Sequence, residues 1–187
     1  MKIYIIPIGD VKREILNLIQ RGIEEVFSKG ICNILDDVIK LPCGAYNRVR
    51  KQYISEALLN EVIRCAIRLE KETKELSIVL GVADVDIYAP GMNFIFGEAQ
   101  CPGKAAIISL YRLKPEFYGG EPNKNLFIER AIKEATHELG HTFGLKHCGN
   151  PVCVMHFSLH IGMTDRKQRE FCNSCTNKLK MSIFANR

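Results

Sequence analysis

The stretch His137-Glu-Leu-Gly-His141-Thr-Phe-Gly144-Leu-Lys-His147 decides how this chain is read. Histidines four apart on a helix sit one turn above each other, so both rings can reach one metal ion. Glu138 lies about 100° round the helix from His137, beside such an ion and not aimed at it. That offset suits a carboxylate handling a water on the metal. Gly144 allows the left-handed conformation that ends a helix and turns the chain back, so His147 can approach as a third ligand. Three neutral nitrogens leave one tetrahedral position open, which is the layout of a catalytic zinc site with Glu138 as general base.

Cysteines follow at once. Cys148, Cys153 and the Cys172-Asn-Ser-Cys175 pair supply four thiolates, enough to close a second, structural zinc site. His156 also has ligand spacing from Cys153, but Cys148 with Cys153 makes the better first half-site. His156 and His160 are then expected at the surface or on a cleft wall. A redox or disulfide role for Cys172 and Cys175 is the competing reading. Residues His147 and Cys148 are neighbours, and adjacent side chains of an extended chain face opposite ways, which sets the two metals on the order of 10–15 Å apart. Cys32, Cys43, Cys65 and Cys101 stand alone and are expected as buried or unreactive thiols.

Upstream, residues 3–8 form an apolar, β-branched run that reads as a buried strand. Helical spacing of apolar residues marks 11–28 and 53–69. Residues 32–41, 93–99 and 105–112 read as strands and 76–88 as a strand pair or one long bent strand, with a turn at Pro102 and Gly103 between 93–99 and 105–112. The histidines fall on a helix over 126–144, capped by Asn123 or Asn125, with Ile128, Ile132, Ala135 and Leu139 on the stripe opposite His137 and His141. A last helix begins near Thr164. Strands alternating with helices give an α/β or α+β layer around a mixed sheet.

The 187 residues suffice for one domain with a sizeable core. Asp10, Lys12, Arg13 and Glu14 follow the first apolar run too soon for a signal-peptide core, and no stretch reaches a membrane span, so a cytoplasmic protein is expected. The net charge of +5 is mild. The clusters Arg48/Arg50/Lys51 and Arg166/Lys167/Arg169 are short, read as solvated surface, and argue against a nucleic-acid partner.

The chain resembles the archaemetzincins of the metzincin clan of zinc metalloproteases. The resemblance rests on His137 to His147, on Cys148, on the Cys153-Val-Met155 step and on Cys172 with Cys175. It implies a mixed twisted sheet with two long helices in an upper subdomain (1–144) and a small zinc-stapled lower subdomain (145–187). It also implies that Met155 is the Met-turn methionine beneath the catalytic zinc, and that residues 93–99 are the edge strand that pairs with extended substrate. Some metzincins carry a tyrosine two residues after that methionine, where this chain has Phe157. The expected activity is peptidase action, aminopeptidase included, on peptides or small proteins by a monomer holding two zinc ions. A zinc-stabilised binding module with a non-catalytic histidine site is the alternative, separable by whether peptide cleavage depends on Glu138.

Overall fold

The computed structural model describes residues 2–185. Three strands open the chain's core: β1 (Lys2–Ile8), β2 (Cys32–Ile34) and β5 (Ser77–Ala83), with α1 (Arg13–Val26) between the first two. Two short strands, β3 (Tyr46–Asn47) and β4 (Gln52–Ile54), precede α2 (Ser55–Thr73). After β5 come β6 (Ile87–Tyr88), β7 (Gly97–Ala99), β8 (Ala105–Ser109) and α3 (Lys124–Thr142). Two helices end the chain, α4 (Ile161–Arg166) and α5 (Asn173–Ala185).

The main sheet has the order β2-β1-β5-β8-β7, parallel except for β7, which runs antiparallel to β8 at the edge. Its central strands bury both faces, which is why their sequences are continuously apolar. Ile3, Ile5, Leu80, Val82 and Ile108 face a core shared with α1 and α3. Their alternates Ile6, Ile8, Val79, Ala83 and Ile107 face α2. The first of these cores continues through Phe143 and Leu145 to Cys153, Val154, Met155 and Leu179, so the segment after α3 packs onto the same interior. Phe27 joins the two regions, with ring centroids 5.7 Å from both Phe143 and Phe171.

Several expected boundaries move. Only Cys32–Ile34 of residues 32–41 form a strand, and the chain touches β1 again at the single bridge Ile8–Ile39. Residues 76–88 are two strands and not one long bent strand, and they lie in different sheets, since β6 pairs with β4 in a second sheet of order β3-β4-β6. Of residues 93–99 only Gly97–Ala99 form regular strand, and at the start of the segment the Met92 and Asn93 carbonyls accept hydrogen bonds from Arg50, that of Asn93 also from Gln52. Thr164 belongs to α4, which ends at Arg166, and α5 starts afresh at Asn173. The break is held by the Cys172 N–H on Cys153 Sγ and by Lys167, which turns inward. No helix among the described residues is long and apolar enough to cross a membrane.

Candidate metal centre

Asn123 caps α3, its Oδ1 accepting from the Leu126 N–H at 3.0 Å as expected. The stripe Ile128, Ile132, Ala135 and Leu139 is buried, with Ile132 close against Gly22 of α1 and with Ala135 and Leu139 in the core shared with the sheet. Near the far end of this helix, His137 and His141 project together, with Nε2 atoms 3.1 Å apart. Gly144 adopts φ +84°, and its N–H donates to the His141 carbonyl, closing the turn. The returning chain sets the His147 ring 5.3 Å from that of His137 and 4.8 Å from that of His141. One ring nitrogen from each of the three lies within 4.8 Å of the others.

The tautomers are fixed from behind. Nδ1 of His137 meets the Val154 carbonyl at 2.7 Å, and Nδ1 of His141 meets the Leu145 carbonyl at 2.6 Å. A carbonyl can only accept, so each Nδ1 carries the proton and each Nε2 presents a bare lone pair. Burial holds the His137 imidazole well below its ordinary range, with Lys167 and His141 adding to the effect. His141 and His147 are lowered for the same first reason. Bare lone pairs at this separation repel unless a cation lies between them. Zinc–nitrogen bonds of about 2.0–2.1 Å place two tetrahedral ligands about 3.3 Å apart, so the three imidazoles fit that ion.

Glu138 is buried beside this cluster. Its carboxyl is raised well above the usual range, first by burial and then by Glu134 and Glu98, with Lys167 opposing. Edge strand β7 makes room for it, because a Cβ on Gly97 would lie 2.6 Å from Glu138 Cγ and Oε1. Gly140 has the same function on the other side of the helix, where a Cβ would stand 2.4 Å from Met155 Sδ. Met155 is fully buried there, and Phe157, two residues on, packs its ring 4.7 Å from that of His147.

The second cluster also assembles. Sulfur atoms of Cys148, Cys153, Cys172 and Cys175 lie within 4.8 Å of one another, with Cys148 and Cys172 at 3.9 Å. Tetrahedral zinc–sulfur bonds of about 2.3 Å imply sulfur separations of about 3.8 Å, so this set fits zinc as well. Hydrogen bonding from the Cys175 backbone N–H draws the Cys172 thiol down to about 7, while burial pushes Cys153 and Cys175 up. His156 is outside the cluster, its Nδ1 on the Cys148 carbonyl at 2.9 Å. His160 is exposed at the start of α4. Of the isolated cysteines, Cys32 and Cys65 are buried, but Cys43 and Cys101 are exposed.

Arg48, Arg50 and Lys51 are exposed, whereas the expectation of solvated surface is corrected at Lys167 of the second cluster. Lys167 has no exposed side-chain surface and donates to Glu134 Oε1 at 3.0 Å, where Thr164 also donates. Arg130 forks onto both Asp165 oxygens at 2.7 Å, and Lys133 donates to the Asp165 carbonyl. Arg169 pairs with Glu25 and Glu129, while Arg50 spans to the 92–93 backbone. Sequence reasoning missed this network beneath the histidines. Its signal was present, since Arg130 and Glu134 continue the His137/His141 face at helical spacing.

The chain matches the model of peptidase family M54 over residues 3–181. It is 48% identical over 180 residues to the archaemetzincin of Methanocaldococcus jannaschii, covering 96% of this chain and 93% of that one. The crystal structure of archaemetzincin from Methanopyrus kandleri superposes with a TM-score of 0.82 at 36% identity, over 98% of this chain and 96% of that one. A zinc-dependent peptidase from Methanocorpusculum labreanum gives a TM-score of 0.84 at 29% identity, over 95% and 99% of the two chains.

Proposed function

The chain belongs to peptidase family M54, and from that premise we propose that it hydrolyses peptide bonds at a zinc ion held by His137, His141 and His147, with Glu138 as general base. The observation that carries this reading is the convergence of two Nε2 lone pairs, with Nδ1 protons tied to carbonyls, beside a buried carboxylate. Zinc held there supplies Lewis acidity, which brings a water's pKa to about 7 and polarises the peptide carbonyl.

The protein's own groups supply the rest. The buried Glu138 carboxylate takes a proton from the attacking water and delivers it to the departing amine. The Val154 and Leu145 carbonyls keep the two helix imidazoles in one tautomer and orientation throughout. Met155 forms an apolar floor as the Met-turn residue, Gly144 makes the turn, and Phe157 takes the position that some metzincins give to tyrosine. Cys148, Cys153, Cys172 and Cys175 would hold a second, structural zinc, stapling a lower subdomain (145–187) to an upper one (1–144). The unpaired outer edge of β7 would receive extended peptide by strand addition, which suits a metzincin acting on peptides or small proteins, aminopeptidase action included.

The test is removal and return of metal. Chelation should abolish peptide cleavage, and stoichiometric zinc should restore it. Cleavage that survives complete loss of metal from the histidine site would refute the proposal.

A further inference from the structure

At the carboxyl end of the main sheet the chain leaves two adjacent strands in opposite directions. From β1 it passes through α1 to β2 on one side, and from β5 it goes on to β7 and β8 on the other. Open α/β sheets form a crevice at such a reversal, and ligands bind there. Here the crevice holds a cavity of about 270 Å³, roughly the liquid volume of nine waters. Phe127 in its wall precedes His137 on α3 by a rise of about 15 Å, which sets the cavity apart from the histidine cluster.

One wall is apolar and the other carries paired charge. Val11, Ile15, Leu110 and Phe127 form the apolar wall and pack on the core beneath. Asp84, directly after β5, and Lys114 form the other, with Lys114 Nζ 2.7 Å from Asp84 Oδ2. Their side chains stay 36% and 32% exposed for Lys114 and Asp84, so a solute reaches them. Asp10 and Lys12 are exposed at the rim. Asp84 Oδ1 is buried with no hydrogen-bond partner among the described residues, so half of this carboxylate lacks a donor. The χ2 torsion of an aspartate is broad, and a modest turn brings Oδ1 to the cavity.

These walls select a ligand class. A simple anion meets Asp84 and Asp10, and a simple cation meets Lys114 and Lys12. A carboxylate and an ammonium group on one carbon instead match an aspartate and a lysine that touch, each charge facing its opposite. An apolar side chain on that carbon covers the opposite wall, and leucine, of about nine heavy atoms, suits the volume. We propose that the crevice binds a free α-amino acid with a branched apolar side chain. Asp84 takes the ammonium group, Lys114 and Lys12 take the carboxylate, and the wall around Phe127 takes the side chain.

Isothermal titration calorimetry of zinc-loaded protein with leucine tests this. Leucine should bind one per chain, about tenfold or more tightly than glycine, which lacks the side chain. N-acetyl-leucine and leucinamide each lack one charge and should bind about tenfold more weakly than leucine. Asp84→Asn should weaken leucine about tenfold and spare N-acetyl-leucine, a selectivity that general damage to the fold would not produce. Lys12→Gln, at an exposed position, should weaken leucine about threefold and spare leucinamide. An amino acid also chelates zinc through the same two groups, but that binding is blind to residues 12 and 84. Equal leucine affinity in wild type and both variants therefore overturns the proposal. So does glycine binding as tightly as leucine, or no heat of binding at millimolar leucine.

Discussion

A Cβ on residue 97 would press on Glu138 Cγ and Oε1 at 2.6 Å and on the Ile107 carbonyl oxygen at 2.7 Å. Gly97→Ala should therefore displace the base without touching a histidine. A shift of about 1 Å at a reacting group costs about 10²-fold in rate. The expected result is a kcat lowered by about that factor with zinc content unchanged; an unaltered kcat would show that the carboxylate tolerates the crowding. The three histidines make a second prediction. All are held below their ordinary value of 6.5 by burial, so the unfolded chain binds more protons than the folded one just under that pH. Stability of metal-free protein should fall as pH drops below 6.5. Glu138 has the opposite sign, since its raised value favours the fold below 4.5 and loses that contribution as pH rises. Calorimetry on metal-free protein carrying both Glu138→Gln and Cys172→Ser isolates the histidine contribution, because the lowered Cys172 thiol would otherwise titrate in the same window, and a melting temperature flat from pH 7.5 to 5.5 would contradict it. At this scale the sequence was legible where spacing encodes geometry, as for His137, His141 and His147. Gly97 was not legible, because nothing local tells what lies across a cleft.

Between elements, α3 and α4 meet through buried charge. Lys167 and Glu134 are fully and nearly fully covered, and Arg130 forks onto Asp165 close by. Removing one partner of a buried pair costs about 3–5 kcal/mol, whereas replacing both with apolar groups is near neutral. Lys167→Met should lose about that much stability, and Glu134→Leu in the same chain should recover most of it. Denaturant titration of the two variants decides this, and a single variant as stable as wild type would mean the pair is not buried as described. The helices and central strands were readable from apolar period. Charged residues such as Lys167 were misread, because composition favours solvent for a lysine and only the tertiary fold supplies Glu134. The short strands β3 and β4 were missed or merged, since two or three residues carry no period.

Across the molecule, the two ligand clusters are tied by one segment. Cys153 contributes to the thiol cluster, and the next residue, Val154, holds His137 by its carbonyl. The Cys148 N–H donates to the Met155 carbonyl within the same loop, and His147 adjoins Cys148. Metal binding in such a loop is folding energy. Cys172→Ser should therefore lower zinc occupancy at the histidines as well as at the cysteines. X-ray absorption that finds an intact three-nitrogen zinc site at full occupancy in that variant would show the sites to be independent. The overall class, a mixed sheet between helices, was legible from the alternation of strands and helices, but strand order was not, because it depends on which apolar faces meet at long range.

The central claim is that Glu138 performs the proton transfers at a zinc held by His137, His141 and His147. The direct test compares peptide hydrolysis by wild type and Glu138→Gln at matched, measured zinc content. The expected result is full zinc in both and a rate in the variant lower by about 10²–10⁴-fold, the usual contribution of a positioned general base. Equal rates at equal zinc would contradict the claim.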